Sequence, residues 1–292
     1  MPHAMRIALS LIFALLLVSV QSRAGQGLMT EAGRYGVVAP AYNLRMTYTG
    51  HELYEGIIKG NEFGVSASAT FPLLSYGGVD IHTRYNNLDF YVQGFRWEET
   101  QKSTEHTALL FLRDFDLGMA GIGFSEGSRK RQMDYPEFGL IGTIEDEVSQ
   151  QFVHVEYYHD IYTIMARKGR YDVTDGSDEF TVDEYELDYF TLGLRWYLSN
   201  TTRISLILGG DDVSDFRRIQ YLIVPDRLER KWGFSAGFEY RHDISRFTIG
   251  FTYFFNSHKP TLMDRDRRYE GPLFNRDSDI DAFEHHPAIK LL

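Results

Sequence analysis

The chain has 292 residues, 43% hydrophobic and 15% aromatic, with 19 Tyr, 21 Phe and no cysteine. A formal net charge of -11 excludes the basic footprint that nucleic acid or an anionic membrane surface requires. Without cysteine there is no disulfide framework, so an exported form of this chain must rest on a large hydrogen-bonded scaffold.

The first element is "MPHAMRIALSLIFALLLVSVQSRAGQG". One basic residue, Arg6, precedes an apolar run from Ile7 to Val20, and small residues follow at Ser22 and Ala24. This order predicts a secretory signal peptide over 1–24, cleaved after Ala24, leaving 25–292 as the mature chain. No second apolar run reaches the roughly 20 residues of a membrane-spanning helix.

From there the hydropathy repeats every two residues, which predicts strands. In "NEFGVSASATF" Phe63, Val65, Ala67, Ala69 and Phe71 alternate with Gly64, Ser66, Ser68 and Thr70. In "YFTLGLRWYL" Phe190, Leu192, Leu194, Trp196 and Leu198 alternate with Thr191, Gly193, Arg195 and Tyr197. In "KWGFSAGFEYR" Trp232, Phe234, Ala236, Phe238 and Tyr240 alternate with Gly233, Ser235, Gly237, Glu239 and Arg241. The runs are about nine to twelve residues long, as crossing a bilayer at a tilt requires, with aromatic residues at their ends. A soluble sandwich would bury the apolar row, whereas a membrane barrel turns it toward lipid and must close on itself. The lengths and aromatic ends favour a closed antiparallel transmembrane β-barrel of about twelve strands. The count is twelve if "GGVDIHTRYNNLDFYVQGFRWE" is one long strand, and fourteen if Asn86-Asn87 is a turn.

Tight polar turns are expected in "VEYYHDIYTIMAR", "LRWYLSNTTRISLIL", "FLRDFDLGMAGIGF" and "FEYRHDISRFTIGF". Longer loops are expected at 125–149, 173–188 and 211–230. This alternation resembles that of Gram-negative outer-membrane β-barrel proteins of porin-like type, over nearly the whole mature chain. The likeness is one of pattern, and no motif assigns a subfamily. It implies a place in the cell outer membrane, contact with outer-membrane lipid and lipopolysaccharide, and insertion by the barrel-assembly machinery. It assigns no oligomeric state.

Counting turns from that resemblance makes the His242-Asp243 turn periplasmic. "RFTIGFTYFF" (246–255) then runs outward, 256–281 is a long extracellular loop or tail, and 284–292 closes the barrel. Over "AFEHHPAIKLL" (282–292) Phe283, Pro287, Ile289 and Leu291 face out, and Glu284, His286 and Lys290 face in. Competing with this, Thr248, Gly250, Tyr253 and Phe255 resemble the assembly signal that ends the last strand in this class.

By phase, Arg45, His82, Arg84, Gln93, His154, Glu156, Arg195, Glu239 and Arg241 face the lumen and are the candidate pore-lining set. Charges of both signs suit passive diffusion of small hydrophilic solutes, small polar solutes being the expected partners. The same charges could instead knit a sealed plug. The acidic stretch "DVTDGSDEFTVDEYELD" lacks the fixed spacing of a calcium loop and reads as solvated, as does "DRDRRYEG". No nucleophile stands with a base on one strand face, and there is no Cys/His metal motif, phosphate loop or dinucleotide fingerprint. No enzyme, metal or cofactor is therefore expected. The alternatives are a barrel enzyme, a surface-loop adhesion or interaction protein without an open pore, and a soluble periplasmic β-protein.

Overall fold

The computed structural model describes residues 35–53, 58–92, 98–135, 140–175, 185–211, 215–241, 244–255 and 259–270. Twelve strands follow in chain order: β1 (Ala41–Leu53), β2 (Ile58–Leu73), β3 (Gly77–Val92), β4 (Glu98–Asp114), β5 (Gly118–Tyr135), β6 (Leu140–His159), β7 (Tyr162–Asp175), β8 (Tyr185–Ser199), β9 (Thr202–Asp211), β10 (Asp215–Ile223), β11 (Trp232–Arg241) and β12 (Ile244–Phe254). Each pairs antiparallel with its neighbour, and β12 pairs with β1 to close the barrel. Asn86 and Asn87 lie inside β3, paired with Gly64 and Phe63, so there is no turn there. Among the described residues no helix is long and apolar enough to cross a membrane.

The alternation read from the sequence sorts residues between the two faces of the wall. Phe63, Leu192, Leu206, Phe238 and Phe247 are exposed outside, while Thr70, Thr191, Glu239 and Arg246 are buried inside. A closed belt of exposed Leu, Ile, Phe, Tyr and Trp far exceeds the few hundred Å² of apolar patch that a soluble monomer tolerates, and it suits lipid. Closure leaves no strand edge to bare its backbone to hydrocarbon.

Strand direction defines two rims. The connections 74–76, 115–117, 160–161, 200–201 and 224–231 lie at one, called here the turn rim. The chain also enters β1 and leaves β12 at this rim. The expected long loop at 125–149 is instead the upper half of the hairpin β5–β6, which continues to Tyr135 and restarts at Leu140. The outer face there is polar and the inner one mixes Arg129, Arg131 and Asp146 with Met133 and Ile144, so hydropathy shows no period. Ion pairs hold it instead: Arg129 and Arg131 both reach Asp146, at 2.8 and 2.9 Å, and Lys130 pairs with Glu145 across the outer face.

The stretch 211–230 is also not a loop. It contains β10, whose outward row Arg217, Ile219, Tyr221 is short and begins with a charge, and whose inward row includes Arg218 and Gln220. Overlooking one strand reverses the direction of everything after it. Arg241 and Ile244 therefore stand at the rim opposite the turn rim, and β12 runs back toward the turn rim. Asn43 pairs with Phe254 and Thr47 with Gly250, so "RFTIGFTYFF" supplies the closing strand. The proposed closing strand at 284–292 is thus not needed for closure, and residues 271–292 lie outside the described part, as does 1–34.

The barrel is floored at the turn rim. Tyr197, Leu222, Val224, Phe254 and Leu262 form one inward apolar cluster there, and Val37, Leu109, Phe111, Met119, Phe152 and Tyr158 belong to a second, which continues along the wall away from this rim through Tyr171, Leu187 and Tyr189. The segment before β1 crosses this rim. Gly36 adopts φ 80°, donates to Arg113 O at 2.9 Å and lies where a Cβ would come within 3.0 Å of Ser75 O, so only glycine fits comfortably.

Candidate functional site: the charged lumen and its tail

Of the nine residues predicted to face the lumen, Gln93 lies outside the described residues. Arg45 is half-buried on the inward row of β1, and the other seven are buried. The structure gathers His154, Glu156 and Arg195 into one network. Glu156 Oε1 lies 3.2 Å from His154 Nε2 and accepts from Arg195 Nη1 at 3.1 Å. Arg84 donates to Glu62 Oε1 at 2.9 Å and to Asn86 Oδ1 at 2.8 Å, while Glu62 Oε2 lies 3.1 Å from His51 Nε2. Glu239 is shared by Arg246, at 3.2 Å, and Arg218. Arg241 donates to Asp211 at 2.7 Å. His82 is buried on β3 between Ser68 and Thr107 in register, apart from the other two histidines.

Several lumen charges escaped the sequence reading: Glu62, Arg113, Asp146, Arg167, Arg203 and Arg246. All but Asp146 lie in strands whose hydropathy alternates, so phase alone could have found those five. What phase could not supply is the partner. Arg203, for instance, pairs with Asp266 of the tail, 63 residues further along the chain.

The largest surprise is the C-terminal segment. "DRDRRYEG" does not lie as a solvated loop. After β12 the chain turns back at the turn rim as a helical turn, Leu262–Asp264, which runs into a π-helical turn, Arg265–Tyr269. Thr261 caps it, its hydroxyl accepting from Asp264 N at 3.0 Å. Leu262, Arg265, Asp266, Arg267 and Glu270 are buried.

The barrel answers Arg265, Asp266 and Arg267, while the Glu270 carboxylate faces Arg265 of the same segment at 3.8 Å. Arg267 donates to Tyr162 O at 2.7 Å and His159 O at 3.3 Å. Asp266 accepts from the Tyr197 hydroxyl at 2.8 Å and pairs with Arg203. Arg265 stacks over the Phe254 ring at 3.8 Å and donates to Arg230 O at 2.6 Å. Burial pushes its guanidinium below the ordinary arginine value, against the opposing pull of Glu270 and Asp266. Arg113 donates to Glu270 O at 2.6 Å, and Val38 N to Arg268 O at 3.0 Å. The last carbonyls of strands and turns, which a barrel rim leaves unpaired, thus become the acceptors that hold the segment.

Comparison with solved structures fits this architecture. An outer membrane channel from Pseudomonas putida F1 matches with a TM-score of 0.56 at 10% identity, over 77% of this chain and 100% of that one. The β domain of the Bordetella autotransporter BrkA matches at 0.51 with 11% identity, over 74% and 99%. The fold is that of an outer-membrane β-barrel. The KdgM porin in complex with disordered oligogalacturonate reaches 0.48 at 10% identity, over 73% and 99%. No family model and no curated protein matches the chain.

Within this outer-membrane barrel the lumen is crowded. One cavity of about 60 Å³ is bordered by Arg84, Asn86, Gln101, Glu105, Arg129 and Gln150. A second, of about 30 Å³, lies between Glu62, Arg218, Glu239 and Arg246. Such volumes hold a few waters against polar walls. Among the described residues no group of three or more His, Cys, Asp or Glu could hold a metal ion.

Proposed function

We propose that the chain is an outer-membrane channel for passive diffusion of small hydrophilic solutes, with its turn-rim mouth occupied by residues 259–270 in the state described. The observation that carries this reading is the inward face. Twelve strands present it, and between its apolar clusters it carries hydroxyl, small and charged side chains of both signs, whereas the outward row is almost wholly apolar. Charges of both signs bind hydrated solutes weakly enough to release them. In this reading residues 1–24 direct export and the barrel-assembly machinery inserts the chain. Lipid and lipopolysaccharide surround it, and the turn rim faces the periplasm, as short turns do in this architecture. No catalytic role is proposed. The tail segment fills the turn-rim mouth through side-chain and carbonyl contacts to the wall, and it contributes no strand to the sheet, so its release would open that mouth without unpairing the barrel.

Single-channel recording in planar bilayers tests the reading. Discrete conductance steps are expected from the purified chain, rare in the wild type and frequent when Arg267→Ala removes the clamp on Tyr162 O. A barrel that stays silent in both forms sinks the channel reading.

A further inference from the structure

We infer that the turn-rim half of the lumen is a binding site for a small oxyanion, a solute bearing a carboxylate or phosphate group, and that Asp266 of the chain's own tail occupies it. The inference rests on the channel reading and deepens it.

The whole chain carries -11, yet its buried strand charges lean the other way. Among the described residues, nine buried arginines on the strands face six buried carboxylates, and no lysine is buried with them. The excess lies toward the turn rim. Arg113, Arg195 and Arg203 stand there against two buried strand carboxylates, Asp80 and Glu156; Arg195 engages Glu156 at 3.1 Å, and Arg203 pairs with Asp266 of the tail. Arginine is suited to this role because its planar fork matches an oxyanion and its charge persists when buried.

Two of these guanidinium groups keep nitrogen atoms without a hydrogen-bond acceptor. Nε and Nη1 of Arg113 and Nε of Arg203 make no hydrogen bond, although both residues are almost wholly buried. Buried donors of this kind carry a desolvation cost that an incoming acceptor would relieve.

The tail already shows how a carboxylate sits there. Asp266 accepts from the Tyr197 hydroxyl at 2.8 Å, pairs with Arg203, and also acts on the Arg195 charge. Its second oxygen, Oδ1, accepts no hydrogen bond. The buried tail charges, Arg265 and Arg267 against Asp266 and Glu270, cancel. Inserting the tail therefore leaves the wall's positive excess in place. A diffusing oxyanion would compete with Asp266 for Arg203 and Tyr197, and winning that competition would loosen the tail.

Two experiments test this. In planar bilayers under a potassium chloride gradient, Asp266→Asn should raise the open fraction severalfold and give a reversal potential on the chloride side. Adding Arg203→Gln should move that potential toward zero. Reversal on the potassium side overturns the oxyanion site while leaving the channel reading intact. An Arg203→Gln change without effect on the potential overturns the assignment to this arginine. Silence from both the wild type and Asp266→Asn removes the channel reading itself.

Independently of conductance, trypsin should cut the wild-type chain after Arg267 or Arg268 severalfold faster in inorganic phosphate, and in acetate, than in chloride of equal ionic strength. Equal rates in all three salts would mean that oxyanions do not displace Asp266. Acceleration by only one of the two oxyanions would narrow the class to that group.

Discussion

The Tyr197 hydroxyl donates to the Asp266 carboxylate at 2.8 Å, joining the eighth strand of the barrel to a segment beyond the last. Both groups are buried, so neither can exchange this contact for water without moving the tail. Tyr197→Phe keeps the ring that packs against Leu222 and Leu262 and removes only the donor. The carboxylate would retain Arg203 but lose one of its two partners. Losing a hydrogen bond to a charged group costs about 1.5–3 kcal/mol. Protease cutting within 265–268 should therefore become about tenfold or more faster, with unchanged heat resistance of the barrel itself.

A second prediction concerns Glu156 and Arg195, whose side chains are 1% and 3% exposed. Arg195→Ala leaves Glu156 with His154 as its remaining side-chain partner at hydrogen-bond range and should lower the unfolding free energy by about 3–5 kcal/mol. The double variant Arg195→Ala/Glu156→Gln should recover much of that loss, since no buried charge is stranded. Urea unfolding of the refolded barrel in detergent or liposomes, with the midpoints of the two variants compared, decides it.

Gly123 faces the lumen on β5, and the Phe152 ring fills the space its side chain would take. A Cβ there would approach Phe152 Cζ to 2.0 Å. Gly123→Val should therefore destabilise by about 1–3 kcal/mol through overpacking. Phe152 also carries the Arg167 guanidinium 4.2 Å above its ring. Adding Phe152→Leu should relieve the clash in part, giving a cycle in which the two changes are clearly non-additive when unfolding midpoints are compared.

Leu206 lies on the outer face, 45% exposed, flanked in register by Leu194 and Ile219. If that face meets lipid, Leu206→Arg should cost about 2–4 kcal/mol, as arginine does near the bilayer midplane of a barrel. In a water-soluble protein the same change would be close to neutral. Reversible unfolding from liposomes distinguishes the two.

The absence of cysteine permits a clean topology test. Lys130 is exposed in the half of β5 away from the turn rim, and Asp160 is exposed in the turn between β6 and β7. A membrane-impermeant maleimide should label Lys130→Cys on intact cells and should label Asp160→Cys only after the outer membrane is opened. The reverse pattern would invert the barrel.

The sequence by itself determined which side of the wall each strand residue faces. Alternation is a local property of extended backbone, so Phe190, Leu192, Leu194 and Trp196 against Thr191, Gly193 and Arg195 could be read without knowing any neighbour. The same rule placed Glu239, Arg241 and His154 inside. It failed where lipid no longer sorts the residues. In the upper half of β5 and β6 the outer face is polar and the inner face mixes charges with Met133 and Ile144, and β10 sets Arg217 in one row with Ile219 and Tyr221, so neither stretch looked like strand. One unseen strand then reversed the direction of β12. Tertiary structure alone decided closure, because pairing Asn43 with Phe254 is a contact between the two ends of the barrel. It also decided the fate of "DRDRRYEG". In isolation those charges belong in water. Inside the turn rim the carbonyls of Tyr162 and His159, the Tyr197 hydroxyl and the Arg203 guanidinium replace that water group by group, and only a closed ring of strands brings them together.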